Sequence, residues 1–507
     1  MLSKILSVGG WTLVSRVTGF LRDACMAAIM GAGPVTDAFV VAMRIPNHFR
    51  AIFAEGAFNA AFIPKYSRLL AGADRSGAAL FAAHIFSLVL MFQAVILVLA
   101  LIGMPWLVYA LTFGFPEDPS RYDLAVALSR ITFPYLLFVT LVTVLSGILN
   151  AHGRFAAAAA APVIMNVTMV AALLVSVHFP TAGHAAAWGF CLAGVLEFLL
   201  LYGAVRRAGL SVGLKKPVLS PDMREFFRAL GPAVIGSAGI QIAMFADTLI
   251  ASLLPTGAVS SIYYADRLYQ LPVGVIAIAV GTVLLPEMSR KLGTGDESGA
   301  FAAQNRAAAL TFVLTVPFFV AFLTLPDLIL TALFKRGAFN FEAARAAADV
   351  LFAYAAGLPA VMLIRSAVAG FYARQDTRTP VIASLIAVAL NVVLKIILVG
   401  PLGAPGLALA TSLGAWLNLG ILLSLGLRRR TLRPDRSLAL YCLAAALAAL
   451  PLAAFALTAP GPAAVALAGY PWPEGLTLMA VGAAGALLYA AALVALFKLF
   501  RLRLKIR

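Results

Sequence analysis

Apolar residues run along this chain in long stretches separated by short connectors rich in Gly, Pro or charge. The stretches fall at about 5–30, 36–64, 78–112, 124–150, 156–179, 184–205, 223–254, 260–289, 300–325, 343–372, 379–400, 402–427, 437–458 and 475–500. Each is long enough to cross a hydrocarbon core of roughly 30 Å as a helix. The pattern predicts an all-α integral membrane protein with fourteen transmembrane helices. Arg16 interrupts the first apolar run and no convincing small-residue cleavage site follows, so this stretch is expected to be a helix and not a cleaved leader. Composition agrees: 62% of the 507 residues are hydrophobic and 12% charged, and the mean hydropathy of +0.97 lies outside the range of soluble proteins.

The charge pattern predicts the topology. One set of alternate connectors carries Lys4, Lys65, Arg68, Arg75, Arg154, Arg206, Arg207, Lys215, Lys216, Arg290, Lys291, Arg374 and Arg378. The same side continues through Arg428, Arg429, Arg430, Arg433 and Arg436 to the basic C-terminus, whereas the opposite side offers only Arg121, Lys335, Arg336 and Arg345. The positive-inside bias then places both termini in the cytoplasm. The net charge of +17 is therefore mostly topological. It points to contact with anionic lipid headgroups and not to nucleic acid. Cys25, Cys191 and Cys442 lie far apart in apolar segments, without disulfide or metal-ligand spacing.

Laid on itself with an offset of roughly 222–225 residues, the chain repeats. Phe62-Ile63-Pro64-Lys65-Tyr66-Ser67-Arg68 falls on Leu284-Leu285-Pro286-Glu287-Met288-Ser289-Arg290, Asp23 on Asp247, and Gly33 on Gly257. The segment from Gly147 to Arg154 similarly matches that from Gly370 to Arg378. An even number of helices per repeat gives two six-helix lobes of the same orientation around a central cavity, as in transporters that rock about a central site. The expected organisation is an N-lobe over 1–216, a C-lobe over 217–430 and an additional helix pair over 431–507.

Several charges fall within these apolar segments, where lipid makes each costly and a polar cavity is implied. Arg16, Arg22 and Asp23 lie in the first helix, and Asp37, Arg44, Arg50 and Glu55 in the second. Across the repeat, Asp266 and Arg267 precede Pro272 much as Arg44 precedes Pro46. Arginine outnumbers acid, so the cavity favours an anion, and guanidinium matches phosphate. Asn391 and Lys395 share one helix face and, with Asp247, form a separate polar group. That group reads either as a salt bridge or as a cation site, because the Lys395 ammonium would stand where a small cation would bind. For Arg50 and Glu55 a structural ion pair is the alternative to a substrate contact. The five histidines are scattered, and no nucleophile, paired-carboxylate or phosphate-loop motif stands out, so neither catalysis nor a cofactor is expected.

Ser15-Arg16-Val17-Thr18-Gly19-Phe20-Leu21-Arg22-Asp23, Gly31-Ala32-Gly33, Thr36-Asp37-Ala38-Phe39, Arg44-Ile45-Pro46-Asn47 and Phe53-Ala54-Glu55-Gly56 together resemble the N-terminal signature of the MurJ (MviN) family of bacterial lipid II flippases. Tyr263-Tyr264-Ala265-Asp266-Arg267-Leu268, Leu271-Pro272 and Gly281-Thr282-Val283-Leu284-Leu285-Pro286 resemble its second-lobe signature. The resemblance implies the multidrug/oligosaccharidyl-lipid/polysaccharide exporter fold. It also implies flipping of undecaprenyl-pyrophosphate-linked lipid II across the bacterial inner membrane by alternating access. It carries headgroup contact to Arg16, Arg22, Asp37, Arg50 and Arg267, and supporting or gating charge to Asp23, Arg44, Glu55 and Asp266. Helices thirteen and fourteen would form a groove for the lipid tail. Gln270 and Lys395 depart from the family pattern, so the coupling ion does not transfer. Membrane lipids, cell-wall synthesis and division proteins are the further partners implied, with a monomer as the expected state. Exporters of other polyprenyl-linked glycans or drugs, and a non-transporting scaffold for cell-wall synthesis, are the competing readings.

Overall fold

The computed structural model describes residues 2–53, 56–72, 75–210, 212–216, 218 and 220–502, so Glu55 lies outside the described residues. Among them the secondary structure is helical throughout. Two compact units result: Met1–Ser260 with Arg336–Phe339, and Ser261–Lys335 with Asn340–Arg507.

The first unit contains α1 (Leu2–Met30), α2 (Pro34–Phe53), α3 (Gly56–Ala71), α4 (Arg75–Leu111), α5 (Pro119–Thr132), α6 (Tyr135–Ala151), α7 (Ala156–Leu174), α8 (Ala182–Arg207) and α9 (Pro221–Ser252). The expected span 124–150 is broken at Phe133 and Pro134, giving α5 and α6. A core of α3, α4, α6, α8 and α9 is built on the rings of Phe58, Phe62, Tyr66 and Phe81. Stacking along one helix face aligns Phe62 with Phe58 and Tyr66 at centroid distances of 5.3 Å each. The strip Arg336–Phe339 joins this unit through Ala338 N–H, which donates to Ala28 O at 2.8 Å. Gly31 permits that approach: its φ is +68°, and a Cβ there would stand 2.6 Å from Ala338 O.

The second unit takes most of α10 (Ala258–Pro272), then α11 (Ile278–Gly293), α12 (Glu297–Thr324), α13 (Pro326–Phe334), α14 (Phe341–Ala355), α15 (Leu358–Tyr372), α16 (Arg378–Arg428), α17 (Arg436–Thr458), α18 (Pro460–Leu467) and α19 (Pro473–Leu499). Here the expected span 343–372 divides at Ala356 and Gly357. Residues 378–428 are two arms, since Gly403 sits at φ 58°, ψ −135° between Pro401 and Pro405. A π-turn over Val273–Ala277 follows Pro272, whose missing N–H interrupts the helical ladder. The C-terminal helices α17 and α19 pack on α12 through Val313, Val316, Ala445, Leu452 and Leu493. Tyr489 Oη donates to Val313 O at 2.9 Å, which satisfies the one polar atom of that ring inside the cluster.

The two compact units divide at Ser260. The reason lies in α9, whose Asp222 and Glu225 each pair with Lys65 at 2.6 Å. Its Phe226 enters the first unit's core. Among the described residues, nine helical stretches are long and apolar enough to cross a membrane. One of them is the 51-residue α16, which at 1.5 Å per residue extends about 76 Å along its two arms, more than two core thicknesses. The helices left out of the nine are chiefly those bearing internal charge: α1, α2 with α3, α9, and α10 with α11.

Candidate functional site

In α1, two successive helical turns bring Ser15, Thr18 and Arg22 toward α7. Arg22 is 5% exposed and donates Nε and Nη2 to Asp23 Oδ1 at 3.1 and 2.7 Å. Its Nη1 donates to Asn166 Oδ1 at 3.0 Å. The amide nitrogen of Asn166 in turn donates to Ser15 O at 3.0 Å and to Thr18 Oγ1 at 3.1 Å. Each side chain of this network has a partner, as a charge buried at membrane depth requires. Gly19 lies at this crossing, where a Cβ would meet Asn166 Nδ2 at an ordinary contact distance of 3.4 Å. Asn166 was not singled out in the sequence; its only sign was an amide in an otherwise apolar stretch.

Arg16 lies two turns nearer the basic-loop end. It lines a cavity of about 530 Å³ with Thr12, Ser15, Asn150, Phe155, Ala158, Ala159 and Pro162. Asn150 Oδ1 is buried there without a hydrogen-bond partner. The cavity thus presents a guanidinium and an amide, beside an apolar wall supplied by α7.

The proline in α2 is accommodated inside the helix. Pro46 cannot donate to Ala42 O, yet α2 runs unbroken through it. Thr132 Oγ1 of α5 donates to Ala42 O at 2.7 Å, which replaces the missing bond and ties the two helices. One turn on, Arg50 Nε donates to Asn47 Oδ1 at 3.2 Å, and Arg44 is half-buried. Glu197 of α8, 3% exposed, accepts from Tyr135 and lies in the field of Arg50. It is the acid that sequence reasoning passed over, since a single glutamate in Leu196-Glu197-Phe198-Leu199-Leu200 carries no motif.

Asp37 is fully buried and all its acceptors are engaged. Its Oδ1 accepts from Ser260 N and Ser260 Oγ at 2.8 Å each, and Oδ2 accepts from Gly257 N at 2.8 Å. Arg121 Nη2 pairs with Oδ2 at 2.9 Å. The Arg121 guanidinium also donates to Leu254 O at 3.3 Å and stands 3.7 Å over the Phe115 ring. This carboxylate therefore caps the start of α10 and neutralises one of the few arginines on the basic-poor side. In this arrangement it offers no oxygen to a ligand. Asp118 caps α5 beside it, and the hydrogen bond from Ser120 holds that carboxyl below its ordinary range.

The remaining candidates divide between the units. Arg267 of the second unit lies 4.6 Å from the Tyr263 ring centroid, a cation–π contact. Asp266 accepts from Gln270 Nε2 at 3.4 Å. Asp247 is on α9 in the first unit, whereas Asn391 and the buried Lys395 lie on α16 in the second. Among the described residues no cluster of His, Cys, Asp and Glu has the arrangement of a metal site.

The sequence profile of the family described as "Lipid II flippase MurJ" matches residues 26–460. The chain is 40% identical over 423 residues to the "Probable lipid II flippase MurJ" of Rhizobium tropici, covering 82% of this chain and 79% of that one. It is 36% identical over 434 residues to the "Lipid II flippase MurJ" of Burkholderia cenocepacia, covering 84% and 83%. Among solved structures, "Lipid II flippase MurJ, inward closed conformation" aligns with a TM-score of 0.80 at 24% identity over 97% of this chain and 98% of that one. An inward-facing multidrug resistance transporter of the MATE family, within the MOP superfamily, aligns with a TM-score of 0.68 at 17% identity over 82% of this chain and 94% of that one. These two likenesses establish the fold.

Proposed function

Because the chain belongs to the lipid II flippase MurJ family, a family of multi-pass bacterial inner-membrane transporters and not enzymes, we propose that it moves lipid II from the inner to the outer leaflet by alternating access. The single observation that carries the reading on this chain is Arg16, a guanidinium lining a cavity at membrane depth beside the unpartnered Asn150 Oδ1. A pyrophosphate leaving water must exchange its hydration for fixed donors, and arginine supplies them in matching geometry. The polyprenyl tail can stay in lipid throughout.

Fourteen crossings follow when the nine apolar stretches are counted with α16 as two arms and the four charge-bearing segments are added. Both termini then lie on the basic-loop side, the cytoplasm. The lobes over 1–216 and 217–430 describe the sequence repeat, with 431–507 as an added pair whose apolar surface suits the lipid tail. Arg16, Arg22, Arg50 and Arg267 are the headgroup residues of this reading. Asp23, Arg44, Glu55 and Asp266 supply balancing charge in this reading. Asp37 enters contact with a headgroup only if its bonds to Arg121, Gly257 and Ser260 open. The working unit is a monomer that meets cell-wall synthesis and division proteins in the membrane.

Binding tests this directly. The purified chain in detergent is expected to bind undecaprenyl pyrophosphate well above undecaprenol, with Arg16→Ala lowering the former about tenfold or more while the fold is kept. Equal binding of the two lipids would remove the anion-recognition basis of the proposal.

A further inference from the structure

A second basic cavity lies on the other face of α7 and borders the Arg16 cavity only at the Phe155 ring before that helix. It measures about 670 Å³ and is lined by Leu149, Gly153, Arg154, Phe155, Leu200, Gly203 and Arg207 among others. Arg154 opens the connector before α7 and Arg207 closes α8. Both side chains are exposed, and neither has an ion-pair or hydrogen-bond partner among the described residues. The neighbouring Arg206 differs, lying 5.7 Å from the Tyr202 ring centroid.

An apolar groove of about 450 Å³ continues from this cavity between α7 and α8. It is lined by Val163, Ile164, Val167, Thr168, Leu196 and Leu200, so Leu200 borders both spaces. The one hydroxyl in it, Thr168 Oγ1, is turned back onto Ile164 O at 2.7 Å. From Leu196 to Arg207 the helix rises about 16 Å, close to half a hydrocarbon core, or one leaflet. Two uncommitted guanidiniums at the interface above one leaflet's depth of apolar groove match an amphiphile with an anionic head and a chain.

We propose that this site holds an anionic phospholipid of the leaflet on the basic-loop side, its phosphate between Arg154 and Arg207 and an acyl chain along Leu200, Leu196 and Val167. It is a bulk lipid and not the transported one, because α7 stands between the groove and the Arg16 cavity. The proposal holds whatever the Arg16 cavity carries. Gly203 supplies a variant that fills the site without removing charge, since a Cβ there would meet nothing within 4 Å.

The test is native mass spectrometry of the full chain titrated with phosphatidylglycerol or phosphatidylcholine. Preference for phosphatidylglycerol is expected, falling about tenfold to thirtyfold in R154Q/R207Q. G203L should lower retention of phosphatidylglycerol while leaving the melting temperature in phosphatidylcholine unchanged. R207Q alone should lower the preference, and R206Q, an equal loss of charge outside the cavity lining, should leave it intact. Equal losses in R206Q and R207Q would show diffuse attraction to basic loops and overturn the site. Displacement of phosphatidylglycerol by equimolar undecaprenyl phosphate would make it a station for the transported lipid and overturn it equally.

Discussion

Replacing Asp37 by alanine should cost stability before it costs substrate recognition. The carboxylate is fully buried, and its partner Arg121 is 3% exposed, so solvent screens neither charge. Without Asp37 the guanidinium keeps Leu254 O at 3.3 Å, the Phe115 face and the field of Asp118, whose carboxylate is already committed to Ser120 Oγ and the Arg121 N–H. Breaking a buried pair in this way costs about 3–5 kcal/mol. The loss also strands the Gly257 and Ser260 N–H groups, each worth about 1–3 kcal/mol if no water reaches it. Because these terms share one site they do not add fully, and a total of at least about 4 kcal/mol is expected. Arg121→Met removes the stranded cation while keeping apolar volume, so the double variant should regain roughly 2 kcal/mol or more over Asp37→Ala. The assay is unfolding of the four proteins of this cycle in one detergent, read as relative stabilities since so large a chain need not unfold in two states. Undiminished stability of Asp37→Ala, with loss of lipid II binding that Arg121→Met does not alter, would refute the reasoning and make Asp37 a headgroup ligand.

Other outcomes follow from the same structure. Thr132→Val should destabilise by about 1–3 kcal/mol by leaving Ala42 O unpaired beside Pro46, while Thr132→Ser should be close to neutral by the same unfolding measurement. Asn166→Ala should weaken lipid II binding and stability together, because it frees Arg22 Nη1, Ser15 O and Thr18 Oγ1 at once. Asp376 accepts from Thr379 and pairs with Arg429 at 3.1 Å, which holds its carboxyl below the ordinary range. Its contribution is therefore complete above the ordinary carboxylate range and is lost as pH falls through the lowered folded-state value, so Asp376→Asn should flatten that acid limb of a stability profile.

Much of this architecture was legible because lipid imposes simple rules on sequence. Long apolar stretches must be helices that satisfy their own backbone, and a guanidinium such as Arg16 within one must face something polar. Partner identity was not legible, since it depends on contacts between distant positions. Asn166 meets Arg22 across 144 residues, Thr132 meets Ala42 across 90, and Arg121 finds Asp37 across 84 positions of chain. Arg121 itself left a faint trace as one of few cations on the basic-poor side. Pro46 shows the same limit: the sequence shows the donor it removes, and only packing shows Thr132 supplying another. Glu197 was hidden by its surroundings, because a lone acid in an apolar run has no pattern until Tyr135 and Arg50 are placed beside it.

The central claim is that a cationic cavity at Arg16 serves lipid II translocation. Depletion of this protein in its native cell, with rescue by wild type or Arg16→Ala, tests it most directly when outward-facing lipid II and protein abundance are scored together. The account predicts loss of outward lipid II on depletion, full rescue by wild type, and failure of Arg16→Ala at normal abundance. Full rescue by Arg16→Ala, or unchanged outward lipid II after depletion, would contradict it.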